Sequence, residues 1–340
     1  MAARGSSNSL EGSDWKRGEE LERKKVTIQD LPAKKQCDNP FTNPETKEVI
    51  MSTEFRRIVP DEAKIEELGT GYNPAEGPVW VAAGGYLLFS DIRGDTMYKW
   101  TPAEGVVTFR APSGKSNGNT LDKQGRLVTC EHFNRRVSRT EPDGTIVTVA
   151  SHYEGKRLNS PNDIIVKSDG SIYFTDPPYG LIIEEAEDQQ ELDFYGVFCL
   201  SADGEKLTLL VDDFTRPNGL TFSPDESLLY INDTERMHIR VFDVKEDGTI
   251  ANGRLFAEVG GDAEKGRPDG LKVDPEGNVY CTGRGGIWVF DPEGEHLGTI
   301  SIPKKTTNFA WGDSDWKTLY MTCFDGLYRM RLNTPGIPIP

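Results

Sequence analysis

The chain has 340 residues, of which 55 are acidic and 39 are basic, giving a formal net charge of −16. Hydrophobic residues make up 36% of it, which is enough apolar material for a folded core and excludes wholesale disorder. The acidic excess repels nucleic acid and anionic membrane surfaces, and no run of about 18 apolar residues predicts a membrane span. We therefore expect a soluble protein, cytoplasmic as the sequence stands, or exported if a leader has been removed.

Residues 1–50 differ in composition from the rest of the chain. They are rich in Ser, Glu, Lys, Asn and Pro without a sustained apolar period, so we expect a polar, irregular tail. Over residues 51–340, short alternating apolar runs are separated by Gly, Asp, Asn and Pro, a pattern typical of strands joined by tight turns. The five Cys are odd in number and form no CxxC pair, which argues against a disulfide framework or a zinc knuckle.

A repeat of six copies runs through this second region. Each copy starts with a short acidic or amide side chain, here called position zero, has a turn eight residues later and ends its second strand after 14 or 15 residues. The six position-zero residues are Glu76, Asn117, Asn162, Asn218, Asp269 and Asn308. The second strands read YLLFSD, RLVTCE, SIYFTD, LLYIND, NVYCTG and TLYMTC. Most copies continue with a third and a fourth strand-like run.

Four antiparallel strands per copy predict an all-β fold, a six-bladed β-propeller. The sixth copy lacks an outer strand. The segment from Glu54 to Glu67, with the strand-like runs FRRIV and AKIEEL, precedes the first copy. We expect an N-terminal strand from this segment to complete the last blade and close the ring, which removes two exposed sheet edges.

The shared register of position zero has a chemical consequence. One position repeated in every blade forms a ring near the propeller axis, so two carboxylates and four amides should converge. Oxygen ligands of low charge suit one divalent hard cation, Ca²⁺ first, then Mg²⁺ or Mn²⁺. Zn²⁺ fits less well because it prefers N or S donors. A single Asn-Gly or Asp-Gly pair predicts only a turn, but six copies in register favour a metal site.

The second strands end in another acidic set, for which exposed turns and solvated faces are the more common positions. This set comprises Asp91, Glu131, Asp176 and Asp233. His132 directly follows Glu131 in the second copy, and it is the one histidine that we expect could reach the channel mouth.

Five motifs resemble the gluconolactonase and regucalcin-like family of six-bladed propellers, over about residues 60–332. They are EGPVW from Glu76, RLNSPND from Arg157, FTDPPYG from Phe174, RPNGL from Arg216 and RPDGL from Arg267. The second and third motifs are most similar to the bacterial and fungal gluconolactonases. The resemblance implies that one divalent cation, usually calcium, is surrounded by Glu76, Asn162, Asn218 and Asp269. We further expect the sugar pocket to be lined by Asn117, His132, Tyr179 and Asn308.

The resemblance implies a metal-dependent lactonase that hydrolyses a sugar lactone of the D-glucono-1,5-lactone type to the aldonic acid. The metal would polarise the carbonyl, and Asp269 is the candidate general base that takes the proton of the attacking water. Two alternatives stay open, a phosphotriesterase-like hydrolase and a non-catalytic, cation-binding propeller scaffold. The expected partner is a small sugar lactone, and a homodimer is an open alternative to a monomer.

Overall fold

Six four-stranded antiparallel sheets make up most of the described structure, which covers residues 53–260 and 265–339 of a computed structural model. The innermost strands of consecutive sheets contact each other, and the innermost strand of the last sheet contacts that of the first. The sheets therefore close into a ring, and the predicted six-bladed propeller is confirmed. The tail predicted over residues 1–50 lies outside the described residues.

The blades follow each other in chain order, and each runs from an inner to an outer strand. Blade 1 contains β2 (Ala75–Val81), β3 (Tyr86–Asp91), β4 (Thr96–Thr101) and β5 (Gly105–Arg110). Blade 2 contains β6 (Ser116–Leu121), β7 (Leu127–Glu131), β8 (Arg136–Thr140) and β9 (Ile146–Ala150), followed by a hairpin of β10 (His152–Tyr153) and β11 (Lys156–Arg157). Blade 3 contains β12 (Ile164–Val166), β13 (Ile172–Asp176), β14 (Gly196–Leu200) and β15 (Leu207–Val211).

The second half of the ring repeats this pattern. Blade 4 contains β16 (Pro217–Phe222), β17 (Leu228–Asp233), β18 (His238–Val244) and β19 (Ile250–Glu258). Blade 5 contains β20 (Leu271–Val273), β21 (Val279–Gly283), β22 (Gly286–Phe290) and β23 (His296–Ser301). Blade 6 contains β24 (Thr306–Gly312), β25 (Thr318–Cys323), β26 (Gly326–Arg331) and, as its outer strand, β1 (Glu66–Thr70). Two short helices, α1 (Thr53–Ile58) and α2 (Tyr179–Ile183), and a 3₁₀ turn at Glu187–Gln189 complete the elements.

An N-terminal strand closes the ring, as the repeat count predicted. Strand β1 pairs antiparallel with β26 and fills the outer place of the sixth blade. The prediction that FRRIV is strand-like was wrong, because this run lies mostly in helix α1. Phe55 and Ile58 are three residues apart, so one helix face buries both against blades 5 and 6.

The position-zero residue opens the inner strand of each blade. In blades 1, 2, 4 and 6 it lies within that strand, and in blades 3 and 5 it lies two residues before it. A glycine often follows it because the neighbouring blade approaches there. A Cβ on Gly77, whose φ is +50°, would lie 1.9 Å from the Asn117 carbonyl oxygen, and one on Gly219 would lie 2.1 Å from that of Asp269. These pairs are therefore contacts between blades and not simple turns.

The acids that end the second strands are buried, which corrects their predicted place at exposed turns. Asp176 and Asp233 are fully buried. Asp176 accepts hydrogen bonds from the backbone N–H groups of Asn159 and Ser160 at 2.7 and 2.8 Å, and Asp233 accepts two from the loop before β16. A buried carboxylate needs such donors. Asp176 and Asp233 thus each fix the loop that leads into their blade's inner strand.

The apolar core lies between the blades. Trp80 of blade 1 stacks on Tyr320 of blade 6 with ring centres 5.5 Å apart, and Tyr280 of blade 5 meets Trp311 of blade 6 edge to face at 4.9 Å. Apolar clusters of this kind join each blade to the next. No helix in the described part of the chain is long and apolar enough to cross a membrane.

Candidate metal centre and active site

A cavity of about 400 Å³ lies where the inner strands begin. Seven of the eight predicted site residues line it, namely Glu76, Asn117, His132, Asn162, Tyr179, Asn218 and Asp269. They come from blades 1 to 5. The shared sequence register thus corresponds to a shared place at one end of the channel.

Four of these cavity residues carry a side-chain carboxylate or amide oxygen and were the predicted cation ligands. Glu76, Asn162 and Asn218 are buried, and Asp269 is half-buried. The Asn218 Nδ2 donates to Thr234 Oγ1 at 3.1 Å, and Thr234 Oγ1 donates to the Pro268 carbonyl at 2.7 Å. This chain fixes the amide, and Asn218 Oδ1 stays buried with no hydrogen-bond partner among the described residues.

The two carboxylates of this set repel each other's charge. Burial raises the pKa of Glu76 well above its usual value, and the charge of Asp269 raises it further. Burial also raises the pKa of Asp269, with Asp163 as the next cause. A bound cation would relieve this repulsion, so the charges favour one.

Asp163 adds a third carboxylate to this cluster through its charge, which raises the pKa of both others, although it is not among the residues that line the cavity. The sequence interpretation missed it. It follows Asn162 at the place where glycine follows position zero in blades 1, 2, 4 and 5. The side chain is buried, and its Oδ1 accepts the backbone N–H of Ile164 at 2.9 Å. The Asp in place of this Gly could have identified the residue from the sequence. A side chain at this position lies in a crowded region between blades, as the contacts of the equivalent glycines show.

The cavity is also lined by polar groups suited to sugar hydroxyls. Asn117 Nδ2 lies 3.1 Å from His132 Nε2. Burial and the charge of Lys115 lower the pKa of His132 to about 3. The ring is therefore neutral, and its Nε2 accepts a hydrogen bond from Asn117 Nδ2. Tyr179 begins helix α2, and its hydroxyl is buried without a hydrogen-bond partner in the described residues. Asn117, His132 and Tyr179 all line the cavity.

Asn308, the eighth predicted residue, is not among the residues that line the cavity. Its Oδ1 accepts the backbone N–H of Phe309 at 2.9 Å, and its side chain hydrogen-bonds Glu76, which lowers the pKa of that carboxyl. Asn308 therefore contacts Glu76 of the proposed ligand set without lining the cavity itself.

Three cations at the cavity, Arg216, Arg267 and Lys305, were also missed. The two arginines stand two residues before position zero in the RPNGL and RPDGL motifs, so the repeat register could have found them. Arg267 pairs with Glu235 at 2.8 Å, and Arg216 lies 3.7 Å from the same carboxylate. They give the acidic site a basic rim.

The residues present fit a hard cation. No group of three or more His, Cys, Asp or Glu able to hold a metal occurs within residues 53–260 and 265–339, so a metal site here depends on amide oxygens as well as on carboxylates. The buried, unpartnered Oδ1 of Asn218 supplies such an oxygen. Oxygen-only donors of low total charge match Ca²⁺ better than Zn²⁺.

A model of the family described as "SMP-30/Gluconolactonase/LRE-like region" matches residues 74–325. The chain belongs to this family. A gluconolactonase from Zymomonas mobilis is 36% identical over 294 residues, which cover 80% of this chain and 82% of the relative. Family membership of this kind makes the chain an enzyme, a carboxylic ester hydrolase.

Solved structures show the same architecture. A Xanthomonas campestris protein, described as a gluconolactonase important in glucose secondary metabolic pathways, superposes with a TM-score of 0.74 at 35% identity and covers 83% of this chain and 93% of its own. The calcium-binding protein regucalcin of Agrobacterium tumefaciens gives a TM-score of 0.67 over 81% of this chain and 95% of its own. Its identity is 19%, so that likeness concerns the propeller fold alone.

Proposed function

We propose that this enzyme is a calcium-dependent lactonase that hydrolyses a sugar lactone of the D-glucono-1,5-lactone type to the aldonic acid. The observation that carries the proposal is one cavity lined both by an oxygen-rich set of side chains and by neutral hydrogen-bonding groups. The names of the Zymomonas and Xanthomonas relatives support the lactone as substrate.

Glu76, Asn162, Asn218 and Asp269 would hold the cation through their side-chain oxygens. The ion supplies positive charge that polarises the lactone carbonyl and offsets the negative charge developing on its oxygen. Asn308 supports this set by its hydrogen bond to Glu76.

Asp269 is the proposed general base. Its carboxylate can ligate the cation through one oxygen and accept a proton with the other. It takes a proton from the attacking water while the water oxygen adds to the carbonyl carbon. The bond between the carbonyl carbon and the ring oxygen then breaks. The proton that Asp269 received passes to the ring oxygen, which becomes a hydroxyl group of the aldonic acid.

Asn117, His132 and Tyr179 are the proposed sugar-binding residues. The neutral His132 ring fixes the Asn117 amide, and the free Tyr179 hydroxyl can donate to or accept from a sugar hydroxyl. Polar groups held in place in this way orient a substrate and exclude others that lack its hydroxyls.

One assay tests the function. The chelator-treated enzyme is supplied with Ca²⁺, Mg²⁺ or Mn²⁺ and scored on D-glucono-1,5-lactone, on a longer-chain lactone and on a phosphotriester, each corrected for spontaneous hydrolysis. We expect calcium to restore activity on gluconolactone above the other two substrates. Turnover of the phosphotriester alone would favour the organophosphate alternative, and calcium binding without turnover of any substrate would favour the scaffold.

A further inference from the structure

We propose that Lys272 is a tethered counter-ion that pairs with Asp163 and thereby weakens calcium binding at the neighbouring oxygen cluster. The inference rests on the proposed function in one respect, that a cation binds there. It concerns how this chain sets the affinity of the site.

Asp163 brings into the cluster a carboxylate of which only one oxygen has a hydrogen-bond donor among the described residues. Its side chain is 3% exposed. One oxygen, Oδ1, accepts the Ile164 N–H, whereas Oδ2 accepts no hydrogen bond in the described part of the chain. The Asp163 charge reaches both carboxylates of the proposed ligand set, because it raises the pKa of Glu76 and of Asp269.

Lys272 lies beside that oxygen. It belongs to β20, three residues after Asp269, and its Nζ is 3.6 Å from Asp163 Oδ2. The same ammonium group donates to the Leu271 carbonyl at 3.1 Å, which fixes its position. The Lys272 side chain is 24% exposed and also lines the cavity at the other end of the channel. The ammonium therefore faces Asp163 from the side away from the active-site mouth.

Lys272 completes the balance of charge at the cluster when a divalent cation is bound. The cluster holds three carboxylates, Glu76, Asp163 and Asp269, with a total charge of −3 when all are ionised. A divalent cation and Lys272 together supply +3. Uncompensated charge is costly in a buried site. Lys305 also lines the cavity, and its charge lowers the pKa of Asp269 as that of Lys272 does. Its side chain is exposed, so water screens part of this charge.

The ammonium and a bound cation thus compete for one carboxylate. With Lys272 present, Asp163 Oδ2 is directed to the ammonium. Without the ammonium, the whole Asp163 charge would attract the cation. Removing a positive charge near a cation site also increases the attraction of the remaining acids for the ion. Both effects predict tighter calcium binding when Lys272 is neutralised.

The test is a double-mutant cycle on the full chain, with Ca²⁺ titrated calorimetrically into chelator-treated protein. We expect Lys272→Met to lower the Kd for Ca²⁺ by roughly tenfold, which is about 1.4 kcal/mol. In the Asp163→Asn background the same substitution should tighten binding clearly less, because the pair is already broken and only the loss of the general positive charge remains. Lys272→Arg should retain the native Kd because it keeps the charge.

The matched control is Lys304→Met, which removes the same charge from an exposed pair with Asp325 at 2.9 Å and should leave the Kd unchanged. If Lys272→Met does not fold, Lys272→Gln provides the same comparison with a polar head group. Equal tightening in both backgrounds would show a general field and overturn the pairing, and an unchanged or weaker affinity would overturn the proposal. Absence of calcium binding by the native chain would instead refute the proposed cation site.

Discussion

The two ends of the channel are built from the same inner strands but differ in chemistry. At the proposed active-site end, the cavity of about 400 Å³ is lined by acids, amides and basic residues. At the far end, a cavity of about 430 Å³ is lined largely by apolar residues, among them Val79, Leu121, Phe222 and Trp311. Strand β2 shows the change within seven residues, from Glu76 near its start to Trp80 near its end.

The difference teaches where this fold separates function from stability. The strand starts are irregular, since β-sheet pairing is interrupted after Glu76 and after Pro217. Bulges of this kind aim side chains away from the sheet. The far halves pair regularly and bury side chains between blades. Substitutions at the two ends should therefore affect different measurements.

The largest expected effect separates the two carboxylates at the active-site end. Replacing Glu76 or Asp269 by its amide removes one negative charge but keeps a carbonyl oxygen, so both variants should bind Ca²⁺ more weakly. At saturating Ca²⁺, Glu76→Gln should recover part of its lactonase activity. Asp269→Asn should not, because an amide cannot accept the water proton, and its kcat should fall by roughly 10²-fold or more.

Steady-state kinetics at several Ca²⁺ concentrations measure this difference. Asp325→Asn is the control, since it makes the same chemical change at an exposed pair with Lys304, and it should behave as the native enzyme. Equal residual activity of Glu76→Gln and Asp269→Asn at saturating Ca²⁺ would mean that Asp269 is a ligand only.

The second effect comes from the contact between blades at the same end. A methyl group on Gly219 would meet the Asp269 carbonyl oxygen at 2.1 Å, so Gly219→Ala must displace Asp269. We expect a loss of about 1 to 3 kcal/mol in unfolding free energy together with weaker Ca²⁺ binding. Gly260→Ala is the matched control, because its nearest contact is 3.6 Å away, and it should be neutral or slightly stabilising. Denaturant unfolding and calcium titration measure the two effects. A native unfolding free energy together with a native Ca²⁺ affinity in Gly219→Ala would contradict the close approach.

The third effect, the change with pH in how much Ca²⁺ stabilises the fold, should be smaller than the effects of these substitutions. Burial raises the pKa of Glu76 and of Asp269 in the cation-free fold, so the folded protein holds protons that the unfolded chain releases. Stability of the chelated protein then falls as pH rises from the usual carboxyl pKa near 4 through the raised values. Calcium removes the repulsion and meets less proton competition at higher pH.

Thermal unfolding with chelator and with Ca²⁺ measures this dependence. The calcium-induced rise in Tm should be greater at about pH 8 than at about pH 5. Glu76→Gln should reduce the difference between the two pH values, since one of the two titrating carboxyls is gone. An equal rise at both pH values would show that neither carboxyl holds a proton in the cation-free fold.

The sequence predicted the parts of the molecule that depend on local repetition. Six copies in register were enough to predict six blades, the closing strand and the set of side chains at one mouth, because a repeat maps directly onto ring geometry. The buried state of Asp233 was not predictable in this way. Two of its four backbone N–H partners lie 17 and 18 residues earlier, and these two depend on the path of a loop.

Departures from the repeat were harder to interpret than the repeat itself. Asp163 replaces a glycine of the pattern and joins the cluster, and its pairing with Lys272 joins two blades that are more than 100 residues apart in sequence. FRRIV has the β-branched residues of a strand, but the spacing of Phe55 and Ile58 suits a helix on blades 5 and 6. Tertiary contact decided both cases.

The smallest effect is expected at the far end, where the segment Ile337–Ile339 lies along the apolar cavity. Ile339 is partly buried and packs against a cluster that includes Val79 and Leu121. Ile339→Ala removes part of that contact, so the unfolding free energy should fall by about 1 kcal/mol, below the range for a fully buried isoleucine. The Kd for Ca²⁺ and the KM for gluconolactone should stay at native values, because the substituted side chain lies at the opposite end of the inner strands from Glu76 and Asp269. Denaturant unfolding and calcium titration of the same variant measure both ends at once. A shift in Kd comparable to that of Gly219→Ala would show that the two ends are coupled through the inner strands, and the separation of function from stability along the channel would fail.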